Sequence, residues 1–377
     1  MQVTVITNHP NHPNGVLYRG YKNRWVTREE KDGINVCRVK TFLAPNAGFL
    51  RRTLNYLFFM AASVIAATRL LKPDVVVATS PQFFCAVAGY VVSRIKRAPF
   101  IFELRDIWPE SIVTVGAMRP SMPIRLLEKL ELFLYRKSVR VVALTGAFKE
   151  NLVSRGIPSS KIDVIKNGVD LSFFSPQPGS PEILRELGAE GRFIASYIGT
   201  VGMAHAIDRI VEVADRLRNN PGIFFVIVGD GAERKRILNL VVDRGLHNIK
   251  VLNGVSKDQV RDYYALTDLY LVTLKNTKLF RTVIPSKIFE AMAMARPILC
   301  AVDGECRKII EDAKSGIYVE PENVDQMAET ILQLWSKKDV LEKMGKNGRV
   351  FVERYFNRDD LARAYLGLLR EVIRIGN

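Results

Sequence analysis

A chain of 377 residues is long enough for two ordinary domains, and 48% hydrophobic with 25% charged residues excludes a disordered or repetitive protein. Four cysteines with no CxxC pairing or framework spacing point to a reduced, cytosolic chain, and "MQVTVITNHP" lacks the basic start and apolar core of a signal peptide. The formal charge of +16 is lopsided: residues 1–175 carry 25 Lys and Arg against 12 Asp and Glu, and the rest 30 against 27. The first half is therefore expected to face something anionic. No nucleic-acid motif accompanies the charge, which leaves an anionic membrane surface as the expected partner and a solvated basic face with no partner as the alternative.

"VTVIT" (3–7) is a short β-branched run ending in the turn-forming "NHPNHPNG". His9 and His12 there imitate a metal pair, but no carboxylate or cysteine joins them, and no metal is expected. In "TLNYLFFMAASVIAAT", Arg52 and Arg69 bracket only 16 residues with Asn55 inside. A membrane span needs about 20, so a buried or half-buried helix is expected, with a surface-lying helix beside Arg51 and Arg52 as the alternative. "DVVVAT" (74–79), "FIFEL" (100–104) and "RVVALT" (140–145) repeat the same grammar, each followed by a helix-compatible stretch. Such runs read as parallel strands buried on both faces, and their alternation with helices implies right-handed βαβ units.

"SFFSPQPGSPE" (172–182) reads as an interdomain hinge. A second set of strands follows: "FIASYIG" (193–199), "FFVIVG" (224–229), "IKVLNG" (249–254), "DLYLVT" (268–273) and "PILCA" (297–301). The expected organisation is a first doubly wound domain over 1–175, a second over 176–357, and a last helix over 358–377 packing back on the first, with ligand between the domains.

Chemistry gathers at strand ends. Gly199 and Gly202 in "YIGTVG", and Gly229 and Gly231 in "VGDGAE", occupy strand-to-helix loops where bare backbone can approach phosphate. The third glycine of a dinucleotide fingerprint is missing, which weakens a nicotinamide-dependent oxidoreductase. In "IPSKIFEAMAMARPIL" (284–299), Lys287 and Glu290 are three apart, hence neighbours on one helix face. They are either a surface ion pair, worth a few tenths of a kcal/mol, or a cation for phosphate beside a carboxylate for two adjacent ribose hydroxyls.

The chain resembles the retaining glycosyltransferases of family 4, which have the GT-B fold, and among them the bacterial enzymes of O-antigen, capsule or colanic-acid-type polysaccharide. "RDIWPESI" (105–112), "VIKNGVDLSFF" (164–174), "YIGTVG" (197–202), "IVGDGAE" (227–233) and "IPSKIFEAMAMARPIL" occur in the family's order and spacing, over essentially the whole chain. The resemblance implies two Rossmann-like doubly wound domains facing a cleft. It implies no cofactor, a nucleotide-sugar donor of the UDP type, and a lipid-linked glycan acceptor at the cytoplasmic face of the plasma membrane. Glu290 takes the place of the family's ribose-binding glutamate. Gly199, Gly202, His205, Gly229, Gly231, Ile284, Ser286 and Lys287 are the other implied donor-binding residues.

Three departures accompany the resemblance. The family's second glutamate, eight residues earlier, is Thr282 here, assigned a catalytic place on the donor sugar. No Arg or Lys occurs from Thr200 to Ile207, with His205 standing near the family's lysine, so phosphate charge would fall to Lys287 and to Lys275, Lys278 or Arg281. The family also opens with a strand, loop and helix ahead of the strand matched by "VTVIT", and loss of that central strand would open a slot in the first sheet. In "ELRDIWPES", Asp106 is the candidate catalytic residue of the first domain, with Trp108 and Glu110 on the acceptor side. The rival readings are a sugar-nucleotide epimerase of the same fold and an inactive, truncated membrane-associated protein.

Overall fold

In the computed structural model, residues 1–11, 15–44, 49–114 and 121–376 are described. The chain divides into two compact units. One is Met1–Ile165 together with the C-terminal residues from Tyr365, and the other is Lys166–Ala364.

The first unit begins with β1 (Thr4–Asn8), β2 (Val26–Lys31), β3 (Ile34–Val39) and α1 (Phe49–Thr68). β1 and β3 run parallel, whereas β2 and β3 form an antiparallel hairpin. Asp32 and Gly33 turn that hairpin with φ of 52° and 74°, the two positive values that a two-residue turn of the matching twist demands and that Asp-Gly supplies cheaply. Next come β4 (Val76–Thr79), α2 (Phe83–Lys96), β5 (Phe100–Leu104), α3 (Glu110–Thr114), α4 (Met122–Lys137), β6 (Arg140–Ala143), α5 (Gly146–Ser154) and β7 (Ile162–Val164). β4 to β7 form a parallel sheet in sequence order.

The strands of this unit thus lie in two sheets, β1-β3-β2 and β4-β5-β6-β7. Among the described residues β1 and β4 are both edges and do not pair with each other. Val5 and Val77 on these edges are 40% and 39% exposed. α1 packs its Phe59, Ala62 and Ala66 against Cys37 and Val39 of β3. No helix among the described residues is long and apolar enough to cross a membrane.

The second unit holds α6 (Pro181–Leu187), β8 (Phe193–Ile198), α7 (Ile207–Arg216), β9 (Ile223–Val228), α8 (Arg234–Asp243), β10 (Ile249–Leu252), α9 (Lys257–Leu266) and β11 (Leu269–Thr273). It continues with α10 (Lys287–Ala293), β12 (Ile298–Ala301), α11 (Glu305–Ala313), β13 (Gly316–Tyr318), α12 (Val324–Trp335), α13 (Lys338–Tyr355) and the start of α14 (Arg358–Gly376). The six strands are all parallel in the order β10-β9-β8-β11-β12-β13. Every residue of β8, β9, β11 and β12 is buried, as continuous apolar runs require when helices cover both faces.

The unit boundaries differ from those expected. They fall at 165/166 and 364/365 rather than 175/176 and 357/358. The reason is local: Val169 exchanges backbone hydrogen bonds with Phe356 and Arg358, which ties residues 166–174 to the second unit. The anticipated hinge is also packed. Gln177 donates to Asp262, and the Ser180 hydroxyl caps α6. The C-terminal part of α14 belongs to the first unit, where Leu368, Leu369 and Val372 join Ile101 and Val142 in one core.

Candidate functional site

In the second unit the connections from β8 run one way across the sheet and those from β11 the other. The crevice outside the carboxyl ends of these neighbours is where open α/β sheets take ligand. The loop after β8 starts at Gly199 and reaches α7 through Ala206, whose φ is 48°. It is strapped to the end of β11: Thr273 donates its hydroxyl to the His205 carbonyl at 2.6 Å, and the Lys275 amide donates to Ala204 at 2.9 Å.

α10 points Ile288, Phe289, Ala291, Met292 and Ala293 into the core, leaving Lys287 and Glu290 together on its other face. Lys287 Nζ donates to Tyr197 Oη at 2.5 Å and lies 3.8 Å from the centre of that ring. A Cβ on Gly199 would come within 2.9 Å of Nζ, so the ammonium sits against the β8 loop. Burial holds this amine down to about 7, against the pull of the nearby Glu290 charge. Glu290 Oε2 accepts from Tyr264 Oη at 2.9 Å. Burial raises its carboxyl above the usual range, opposed by that hydrogen bond and by Lys287, Arg358 and Lys257.

Among the described residues Lys287 and Glu290 make no ion pair, so the surface-pair reading does not describe them. Each is instead held by a tyrosine hydroxyl. Tyr197, Tyr264 and Tyr270 are fully buried beneath the site, and Tyr270 donates to the Ile198 carbonyl at 2.7 Å. The sequence reading missed this support. Its trace is a tyrosine in each of "SYIG", "DYYAL" and "DLYLV", apolar bodies whose hydroxyls need partners once buried.

The other donor-side candidates stand as follows. A Cβ at Gly229 would lie 1.8 Å from the Gly199 carbonyl oxygen, and one at Gly231 2.2 Å from that of Val201. Contact between the two loop backbones therefore accounts for both glycines without a ligand. Gly202 lies beside His205, its Cβ position 3.3 Å from Nδ1. Burial pushes His205 down to about 4, with the Lys287 charge acting the same way. Its buried Nδ1 has no hydrogen-bond partner among the described residues. Thr282 closes a short 3-10 turn and donates to Leu279 at 2.7 Å. Ile284 is half-buried between that turn and α10, and Ser286 caps α10 without a side-chain hydrogen bond. Arg281 is 3.6 Å from Asp303 in an exposed ion pair; Lys275 is half-buried and Lys278 exposed.

In the first unit, Ser80 Oγ accepts the Arg105 amide at 3.1 Å and donates to the Asp106 carbonyl at 3.2 Å, fixing the loop after β5. Trp108 is half-buried and stacks on Phe83 with ring centres 4.9 Å apart. Glu110 opens α3 and lines a cavity of ≈ 460 Å³ with Arg125, Lys129 and Arg155. Below it the buried Glu131 is held by Arg155 at 2.7 Å and by Tyr135 Oη at 2.6 Å. His9 bonds the Arg24 carbonyl through Nε2 at 3.1 Å, and His12 lies outside the described residues. The described residues hold no group of three or more His, Cys, Asp or Glu arranged for a metal.

Residues 1–173 match the family model "Glycosyltransferase Family 4" and residues 180–351 match "Glycosyl transferases group 1". The chain is a two-domain glycosyltransferase. This glycosyltransferase is 22% identical over 380 residues to WcaI of Escherichia coli (strain K12), a protein assigned as a glycosyl transferase of colanic acid biosynthesis; the match covers 98% of this chain and 92% of WcaI. It is 27% identical over 254 residues to the alpha-galactosylglucosyldiacylglycerol synthase of Streptococcus pneumoniae (strain ATCC BAA-255 / R6), covering 64% and 63% of the two chains. Its structure aligns with HepE of Anabaena, crystallised with UDP and glucose, at a TM-score of 0.71 and 18% identity over 90% and 86% of the chains. These likenesses establish the GT-B fold.

Proposed function

We propose that the glycosyltransferase moves a sugar, with anomeric retention, from a UDP-linked donor to a lipid-linked glycan in bacterial surface polysaccharide synthesis. The observation that carries this reading is the placement of Lys287 and Glu290 on one face of α10, with Lys287 against the β8 loop and each side chain oriented by one buried tyrosine. Glu290 Oε2 is occupied by Tyr264, whereas Oε1 has no hydrogen bond from the described residues and is the atom offered to ribose hydroxyls. Lys287, in contact with the loop that backbone-binds diphosphate in this reading, supplies the positive charge. WcaI, named for colanic acid biosynthesis, and the Streptococcus synthase, named for the glycolipid it makes, support the acceptor class.

No strong nucleophile is assigned. The departing diphosphate takes the acceptor proton in a front-side displacement, and the protein's contribution is to stabilise its growing charge. Lys287 does this best where a nearby anion has restored its proton. Thr282 is assigned to a donor-sugar hydroxyl. Asp106 is assigned to the acceptor or a sugar hydroxyl, with Trp108 and Glu110 alongside it.

The test is UDP release by the purified chain from a panel of UDP-sugars, with and without a bacterial lipid-linked glycan extract, followed by NMR of the new linkage. Acceptor-dependent release with the donor's anomeric configuration kept is expected. Conversion of a UDP-sugar with no acceptor, or inversion, would refute the proposal.

A further inference from the structure

The alternation of β5, "FIFEL", turns Ile101 and Glu103 to one face of the sheet and Phe100 and Phe102 to the other. Ile101 belongs to the core that the C-terminal part of α14 covers, where Tyr365 packs at the margin. Glu103 stands on the same face, nearer the carboxyl end of the strand. β5 lies inside its sheet, with Glu103 in register with Thr79 of β4 and Val142 of β6. The Ser80 amide donates to the Glu103 carbonyl at 3.0 Å, so the backbone that carries this side chain is fixed. The carboxyl ends of such strands are where open α/β sheets gather ligand.

Two polar groups meet here without satisfying each other. The Glu103 carboxylate receives no hydrogen bond from the described residues. Arg105 Nη1 stands 3.9 Å away, beyond hydrogen-bond reach. Burial raises the Glu103 carboxyl above its ordinary value, opposed by the Arg105 charge. Tyr365 Oη is buried with no hydrogen-bond partner among the described residues, and it is near enough to Glu103 and Arg105 to feel both charges. A desolvated carboxylate and an unpartnered buried hydroxyl both work against the folded state. Kept together at a strand end, they call for a ligand.

We infer that Glu103 and Tyr365 are the hydroxyl-recognition pair of the first unit, holding two adjacent hydroxyls of a neutral sugar, the terminal residue of the acceptor. One hydroxyl donates to the Glu103 carboxylate, and its neighbour accepts from Tyr365 Oη. The chemistry selects this ligand: a carboxylate only accepts, a phenol can donate, and a vicinal diol supplies one hydroxyl to each. Ionised phosphate offers the carboxylate no donor and is repelled by it. The ligand's place as acceptor rests on the transfer reading above, whereas the pair itself rests on the geometry of the first unit.

The experiment is ligand-observed NMR of the whole purified chain with the methyl glycosides of glucose, galactose and mannose and their monodeoxy forms, run without donor. The expected result is binding of at least one parent glycoside, lost when either of two adjacent hydroxyls is removed. Glu103→Gln should weaken it about ten-fold or more, as loss of a hydrogen bond to a charged group does, and Tyr365→Phe about five-fold. Parental binding should weaken as pH falls and the Glu103 carboxyl takes up its proton, whereas binding by Glu103→Gln should not change with pH. Both variants should melt no lower than the parent, because each removes an unsatisfied group, and both should keep its UDP affinity by calorimetry. Binding of none of the glycosides, binding unaltered by both substitutions, displacement by inorganic phosphate, or a lowered melting temperature in both variants would each overturn the inference. Glu103-dependent glycoside binding in a chain without UDP affinity would uphold the pair and refute the donor reading instead.

Discussion

Replacing Lys287 with Met should make the free protein more stable and the donor complex weaker. An amine that titrates at about 7 in the folded chain, against 10.5 ordinarily, disfavours the folded state at pH 7 by about 4 kcal/mol. Methionine fills similar space without charge. It forfeits the hydrogen bond to Tyr197, worth about 1 kcal/mol, so a net gain of about 3 kcal/mol remains. The sign across pH follows from proton binding. Below the folded value both states hold the proton and the penalty is complete. Between that value and the free one, the unfolded chain binds more protons, so parental stability rises with pH. The advantage of Lys287→Met should therefore be greatest in mild acid and shrink on the alkaline side. Urea denaturation followed by circular dichroism at several pH values measures this, and calorimetric titration with UDP measures the other half. Loss of one charge-assisted contact of about 1.5–3 kcal/mol should weaken UDP roughly ten- to a hundred-fold. A variant less stable than its parent at every pH, with UDP affinity unchanged, would refute the reasoning.

Two further substitutions probe the units separately. Gly229→Ala would drive a Cβ to 1.8 Å from the Gly199 carbonyl, so the second unit should lose about 3 kcal/mol or more, read as a lowered melting temperature; an unchanged melting temperature would deny the loop contact. Arg155→Met should leave Glu131, 1% exposed, as an unpaired buried carboxylate, costing about 3–5 kcal/mol at neutral pH. Because burial already raises the Glu131 carboxyl, protonation should relieve that loss as pH falls, so the variant should approach the parent in acid.

The second unit was the more legible in the sequence because its strands are buried on both faces. Runs such as "FFVIVG" leave no polar alternation to confuse with a surface strand, and they landed within a residue or two of β8 to β12. The β2–β3 hairpin was not read, although Asp32-Gly33 announces its turn, because "VTREEK" is too charged to register as a strand. β13, only three residues long, offers no period to detect. At the candidate site, the spacing of Lys287 and Glu290 on one helix face was readable. Their tyrosine partners were not, since Tyr264 and Tyr197 stand 26 and 90 residues away in the chain and only the fold brings them near. The burial that lowers the His205 imidazole comes from the fold and has no trace in its local sequence.

The most direct test pairs the protein with an altered nucleotide. Calorimetric titration of UDP and 2′,3′-dideoxy-UDP into the parent and into Glu290→Ala forms a closed cycle. If the carboxylate holds the ribose, each single change should cost about 2 kcal/mol and the two together scarcely more, a coupling of about 2 kcal/mol. Losses that simply add, or a Glu290→Ala protein that binds UDP as its parent does, would contradict the account.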